Sequence, residues 1–190
     1  MAKKPVIGLL GGGQLGRMLC EAAGPLGIEI AVLDESNSPA KHAANLNGLH
    51  VTGSFKDAAK IRELATRCDI LTVEIEHVDT VVLEDIAQNG VQISAGDGSK
   101  STKRVVVHPS WRSIRLIQDK FLQKEHFREK GLPITEQMAI SAGDSMFDSL
   151  KEAGRKFGYP FMLKVGSAIP LTLDCTEPCL TIGVGQEGLL

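Results

Sequence analysis

Val6-Ile7-Gly8-Leu9-Leu10-Gly11-Gly12-Gly13-Gln14-Leu15-Gly16-Arg17-Met18 is an apolar strand that runs into a glycine-rich turn and then into a helix. Gly11, Gly13 and Gly16 fit the spacing G-x-G-x-x-G. Glycine permits backbone angles that a Cβ forbids. It also lets main-chain N–H groups approach an anionic or polar ligand at the positive end of the following helix. The stretch therefore predicts a ligand-facing edge on an α/β sheet, and it leaves the ligand open.

Working outward, short apolar strands alternate with amphipathic helices. Pro5–Leu10, Ile28–Leu33, His50–Thr52 and Ile70–Ile75 read as strands. Gln14–Leu26, Asp57–Arg67 and Thr80–Gln88 read as helices, the last stopping at Asn89-Gly90. Such alternation implies a mostly parallel, doubly wound sheet whose ligands bind beyond the carboxyl ends of its strands. After Val91 the polar run Ser94–Lys103 reads as an exposed loop. Val105–Val107 returns to β character, and Ser110 is placed to cap a helix that starts near Trp111.

A second unit is expected from there. Ile114–Lys130 is a long amphipathic stretch interrupted near Gln118-Asp119-Lys120. Thr135–Ile140 is strand-like, Ser145–Phe157 is a helix closed by Gly158, and Tyr159–Lys164 is a strand that ends in a lysine. Val165–Leu190 has few charges and no clear period. The expected division is 1–110, 111–164 and an atypical tail, 165–190.

With 190 residues, 43% of them hydrophobic and 23% charged, the chain is ordinary in composition. A net charge of −2 removes the usual electrostatic argument for nucleic-acid or anionic-membrane binding. No apolar run is long enough to span a bilayer, and the start of the chain has no signal-peptide pattern, so a cytoplasmic protein is expected. Cys20 and Cys68 read as small buried residues. Cys175 and Cys179 have no histidine nearby, and no metal site is expected from them.

Asp34 lies at the end of the second strand, about twenty residues after the turn, where a dinucleotide fold places its ribose-binding acid. A nicotinamide-dependent oxidoreductase is therefore one reading of the spacing. The other is a strand-end acid that caps a nearby turn. Gln14 weighs against the first, because a long amide stands where dehydrogenases often carry a small or apolar residue. Glu74 and Glu76, two apart, fall on one side of a strand by its period of two. Two acids so placed can bind a polar ligand together. His77 beside them reads as a hydrogen-bonded structural residue.

Several blocks together resemble one family: Gly11–Met18, Leu71-Thr72-Val73-Glu74-Ile75-Glu76-His77-Val78, His108-Pro109-Ser110, Ile117-Gln118-Asp119-Lys120 with Gln123-Lys124, and Gly158–Lys164. The combination resembles the N5-carboxyaminoimidazole ribonucleotide synthetases, and more closely the ATP-grasp portion of the fused eukaryotic phosphoribosylaminoimidazole carboxylases. The likeness runs over roughly residues 5 to 164. It implies an α/β fold: a Rossmann-like pre-ATP-grasp domain with a parallel sheet, followed by an incomplete ATP-grasp α+β module. It implies ATP-dependent carboxylation of aminoimidazole ribonucleotide by bicarbonate, in purine synthesis, with magnesium as the second cofactor. On the residues that match, Gly13, Gln14, Leu15, Glu74 and Glu76 would lie near the ribonucleotide. Lys120 and Lys164 would contact ATP, where lysine can neutralise charge on phosphoryl oxygens.

The pattern breaks in two places. Ser94–Lys103 looks inserted. After Lys164 comes Val165-Gly166-Ser167-Ala168-Ile169-Pro170, where the family carries a glycine-rich lid. The lid, the acidic magnesium ligands and the distal basic residues for substrate are not found in the sequence. The expectation is a truncated or frame-altered form with little activity alone. A non-catalytic binding or dimerisation module, forming a homodimer, is the rival reading.

Overall fold

The computed structural model describes residues 4–44, 48–94, 96, 98–141, 146–165 and 179–183, with backbone alone at 141, 164, 165 and 179–183. Two compact units divide the chain, Met1–Arg115 and Leu116–Leu190.

In the first unit the elements are β1 (Val6–Leu10), α1 (Gln14–Ala23), β2 (Glu29–Asp34), α2 (Pro39–Ala43), β3 (Val51–Thr52), α3 (Ala58–Arg67), β4 (Ile70–Val73), α4 (Thr80–Asn89), β5 (Val91–Ser94), β6 (Lys100–Lys103), β7 (Val106–Val107) and α5 (Trp111–Gln118), which runs across the division. The main sheet has the order β3-β2-β1-β4-β7, and every pairing in it is parallel. Period two sorts its side chains cleanly. Val6 and Leu10 of β1 with Ala31 and Leu33 of β2 join a core with Ile61, Leu64, Leu83 and Ile86 of α3 and α4. Leu9 with Ile30 and Val32 joins the opposite core with Cys20, Ala23 and Ala40 of α1 and α2. Burial on both faces is what a doubly wound sheet requires.

The helix ends follow their sequence signals. The Asp57 carboxylate accepts from the Ala59 and Lys60 N–H groups, and Asp79 accepts from those of Val81 and Val82. Ser110 Oγ accepts from Ser113 N at 3.2 Å, as expected of a cap. Gly27, after a 3-10 turn at Gly24–Leu26, has φ 62°, the left-handed conformation that ends a helix. Cys20 and Cys68 are buried, and burial pushes the Cys68 thiol up to about 12.

Two expectations are corrected here. Ser94–Lys103 is not simply a loop: Lys100–Lys103 forms β6, antiparallel to β5, with Gln92 Nε2 donating to Thr102 Oγ1 at 2.8 Å. Ile70–Ile75 does not stay a strand, since β4 ends at Val73.

The second unit holds α6 (Lys120–Glu129), β8 (Gln137–Ser141), α7 (Met146–Phe157), β9 (Met162–Val165) and β10 (Cys179–Gly183). Its sheet runs β8-β10-β9 with both pairings antiparallel. The break at Gln118-Asp119-Lys120 is a helix start, because Asp119 caps α6 by accepting from Phe121 N and Leu122 N. Ile140 and Ala153 form a small core with Met138, Leu150 and Phe157 packed on it. The tail that shows no period contributes the middle strand, β10.

Candidate functional site at the carboxyl edge of the sheet

The chain leaves β1, winds outward through β2 and β3, and returns to place β4 on the other side of β1. The switch point lies between β1 and β4, where open α/β sheets place their ligands. Gly11–Gly13 follow β1 and Glu74 follows β4, so the two segments meet at that point.

The glycine turn is satisfied internally. Gly11 N donates to Leu33 O at 3.1 Å. Gly12 N donates to Asp34 Oδ2 at 2.6 Å, and Gly13 N donates to Glu74 Oε2 at 2.6 Å. Glu35 N donates to the other Asp34 oxygen at 2.7 Å. Asp34 thus caps the turn, one of the two roles its place at the strand end allows. Glu74 sits at the start of α1, where the helix dipole favours a negative group. A Cβ built on Gly13 would lie 2.8 Å from Glu74 Oε1; on Gly16, 3.0 Å from Glu74 Oε2; and on Gly11, whose φ is +92°, 3.2 Å from the same oxygen. All three motif glycines make room for one carboxylate.

The placement of Glu74 and Glu76 differs from the period-two expectation. Both lie in a bent segment beyond β4, half-buried, with Glu74 N still donating to Leu10 O at 3.0 Å. The strand alternation stops at Val73, so it does not set where their side chains point. Gln14 and Leu15 open α1 and are exposed, Leu15 by 65%. His77 and His108 are exposed in the segments after β4 and β7.

Lys41 escapes the sequence reading, which expects no element between β2 and His50. Its side chain is buried on α2, and its ammonium donates to Asp34 O at 2.6 Å and to Thr52 Oγ1 at 3.2 Å. Burial pulls its pKa down. The signal available was Ser38-Pro39, a cap residue followed by proline at the first helical position. Ser38 Oγ is buried without a hydrogen-bond partner, close to Gly12.

In the second unit Lys120 is the first residue of α6, and its ammonium donates to Ile117 O at 2.8 Å. Lys124 Nζ, one turn on, donates to Thr135 Oγ1 at 2.8 Å. The Lys164 backbone pairs with Thr181 in the sheet, and its side chain lies outside the described residues. Among the described residues no group of three or more His, Cys, Asp or Glu could hold a metal ion. No described helix is long and apolar enough to cross a membrane.

A family model described as the ribonucleotide synthetase preATP-grasp domain matches residues 3–98. The chain belongs to that family. The matched stretch contains the glycine turn, Asp34 and the Glu74 segment, so the preATP-grasp assignment covers the switch point itself. Phosphoribosylaminoimidazole carboxylase of Saccharomyces cerevisiae is 42% identical over 83% of this chain and 25% of its own length. N5-carboxyaminoimidazole ribonucleotide synthase of Pseudomonas aeruginosa is 33% identical over 83% of this chain and 38% of its own length. The solved N5-carboxyaminoimidazole synthase of Aspergillus clavatus, in complex with ADP and 5-aminoimidazole ribonucleotide, is 41% identical with a TM-score of 0.75. It covers 97% of this chain, which covers 47% of it. This preATP-grasp chain therefore spans about a quarter of the length of the carboxylases it matches.

Proposed function

We propose that this chain is the ribonucleotide-side portion of an enzyme of purine synthesis that carboxylates 5-aminoimidazole ribonucleotide with bicarbonate, coupled to ATP cleavage. The observation that carries the reading is the 41% likeness, over 97% of the chain, to a synthase solved with ADP and that ribonucleotide. The local geometry supports it: a carboxylate held at the switch point, with exposed Gln14 and Leu15 at the start of α1 just after the turn.

In this reading Gly13, Gln14, Leu15, Glu74 and Glu76 contact the ribonucleotide. Glu74 is oriented by the Gly13 N–H and accepts from hydroxyl or amine groups of the ligand. Gln14 offers both a donor and an acceptor. ATP supplies the activation of bicarbonate, and Lys120 and Lys164 are the candidates to hold it. Magnesium is the second cofactor in this reading, and the described residues hold no group of three or more His, Cys, Asp or Glu that could bind it. The working location is cytoplasmic, although the carboxylase of Vigna aconitifolia is named chloroplastic.

Calorimetric titration of the purified chain with aminoimidazole ribonucleotide, Mg-ATP and NAD tests the reading. Ribonucleotide binding that is lost in Glu74→Ala is the expected result. NAD binding without ribonucleotide binding overturns it.

A second reading is a pairing module without chemistry, forming a homodimer. It is favoured by the apolar residues that α1 and the turn after it leave exposed, Leu15, Met18, Leu19 and Leu26. Sedimentation velocity distinguishes it: a dimer that binds no ribonucleotide favours the module.

A further inference from the structure

We infer that Glu74 is the residue that makes this glycine turn reject phosphate groups: its carboxylate occupies the cradle that the spacing Gly11, Gly13, Gly16 would otherwise offer to an anion. A glycine-rich turn leading into a helix holds phosphate because its N–H groups point at the ligand and no Cβ blocks the approach. Here no Cβ blocks the approach, but the N–H groups of Gly11, Gly12 and Gly13 are taken. Gly12 N is held by Asp34 and Gly13 N by Glu74, each at 2.6 Å. The space left by the missing Cβ atoms of Gly11, Gly13 and Gly16 contains the two Glu74 oxygens, 2.8 to 3.2 Å from where those atoms would be. A phosphate oxygen entering this space meets a carboxylate of the same sign on the same donor. Rejection by a built-in repulsive group is a recognised route to specificity.

The inference concerns the edge discussed above but does not need the ribonucleotide reading, because its probe is inorganic pyrophosphate. The measurement is the displacement of the Gly11–Gly16 amide signals in ¹⁵N–¹H spectra during a pyrophosphate titration. In the native chain these amides stay in place. In Glu74→Ala they shift, with an affinity for pyrophosphate at least about tenfold above the native chain. Gly13→Ala added to Glu74→Ala refills the cradle, since the new methyl points at the vacated carboxylate position. Gly13 has φ −73°, outside the left-handed region that favours glycine. The gained affinity is then lost. Should Glu74→Ala fail to melt cooperatively, Glu74→Ser carries the same titration, its hydroxyl being too short to reach Gly13 N.

Three results overturn the inference: shifts at these amides in the native chain, no gain on removing the Glu74 carboxylate, or a gain that survives Gly13→Ala. Ribonucleotide binding by the native chain, whichever way it falls, leaves this test untouched.

Discussion

Asp34 and Glu74 act alike from opposite sides of β1, each holding one N–H of the glycine turn. Gly12 is buried, so removing its acceptor leaves an unsatisfied donor. Asp34→Ala is expected to destabilise the chain by about 1–3 kcal/mol, read from urea unfolding. Asp34→Asn, which keeps an acceptor oxygen, recovers part of that loss. The two carboxylates were not equally legible. Asp34 stands at a strand end, and capping was one of its two readings. Glu74 stands out in the sequence as a polar candidate, but the strand period that would orient it stops one residue earlier. The turn that captures Glu74 lies sixty-one residues away in sequence, and no local pattern reports it.

In the sequence His50 reads only as the start of a short strand, because its role depends on the neighbouring strand β2. Its Nδ1 accepts from Val32 N at 3.0 Å, so the folded state holds the ring neutral. Burial, and then the Lys41 charge, push its pKa below the ordinary 6.5. The unfolded chain therefore takes up the proton first. Stability from this group is complete above pH 6.5 and declines as pH falls from there toward the folded value. Urea unfolding at about pH 7.5 and 5.5 should show a loss in the native chain that is smaller in His50→Asn, whose side chain does not titrate.

At the scale of elements, alternation made β1 and β2 readable because both faces of the sheet are covered and each residue has an assigned side. Gly8 shows how tightly one side is filled. A Cβ there would lie 2.5 Å from Cys68 Sγ and 2.9 Å from Leu71 Cδ2. Gly8→Ala is expected to cost about 1–3 kcal/mol through overpacking. Adding Cys68→Ala removes the nearer atom, so the double variant should be more stable than the sum of the single losses predicts, a coupling measurable by a double-mutant cycle. Lys100–Lys103 was not readable as a strand because Lys-Ser-Thr-Lys has no apolar face. Its pairing with Val91–Ser94 rests on backbone hydrogen bonds, which the side-chain pattern does not report. Ile114–Lys130 read as one interrupted stretch for the opposite reason: both helices are amphipathic, and only the Asp119 cap separates them.

At the scale of the whole molecule, the sequence pattern and the fold agree most fully in Met1–Arg115, where strand, turn and helix signals coincide. They agree least in the second unit, whose central strand comes from a stretch without periodicity and pairs with β8 from Gln137 to Ser141, far upstream in sequence. The same contrast governs the expected chemistry. The first unit presents a formed edge with an oriented carboxylate, whereas Lys120 donates to a main-chain carbonyl of its own segment. ATP-grasp chemistry needs carboxylates that hold magnesium against the phosphates, and the described residues contain no group of three or more His, Cys, Asp or Glu that could hold a metal ion. The chain alone is therefore expected to show no release of ADP that depends on aminoimidazole ribonucleotide, followed by a coupled ADP assay with bicarbonate and Mg-ATP present. The ribonucleotide is nevertheless expected to raise the melting temperature, since a ligand at 100 times its Kd stabilises the folded state by about 2.7 kcal/mol. Turnover would mean that residues 165–190 furnish a working phosphate site. Neither turnover nor a rise in melting temperature would leave the pairing module as the better account of this chain.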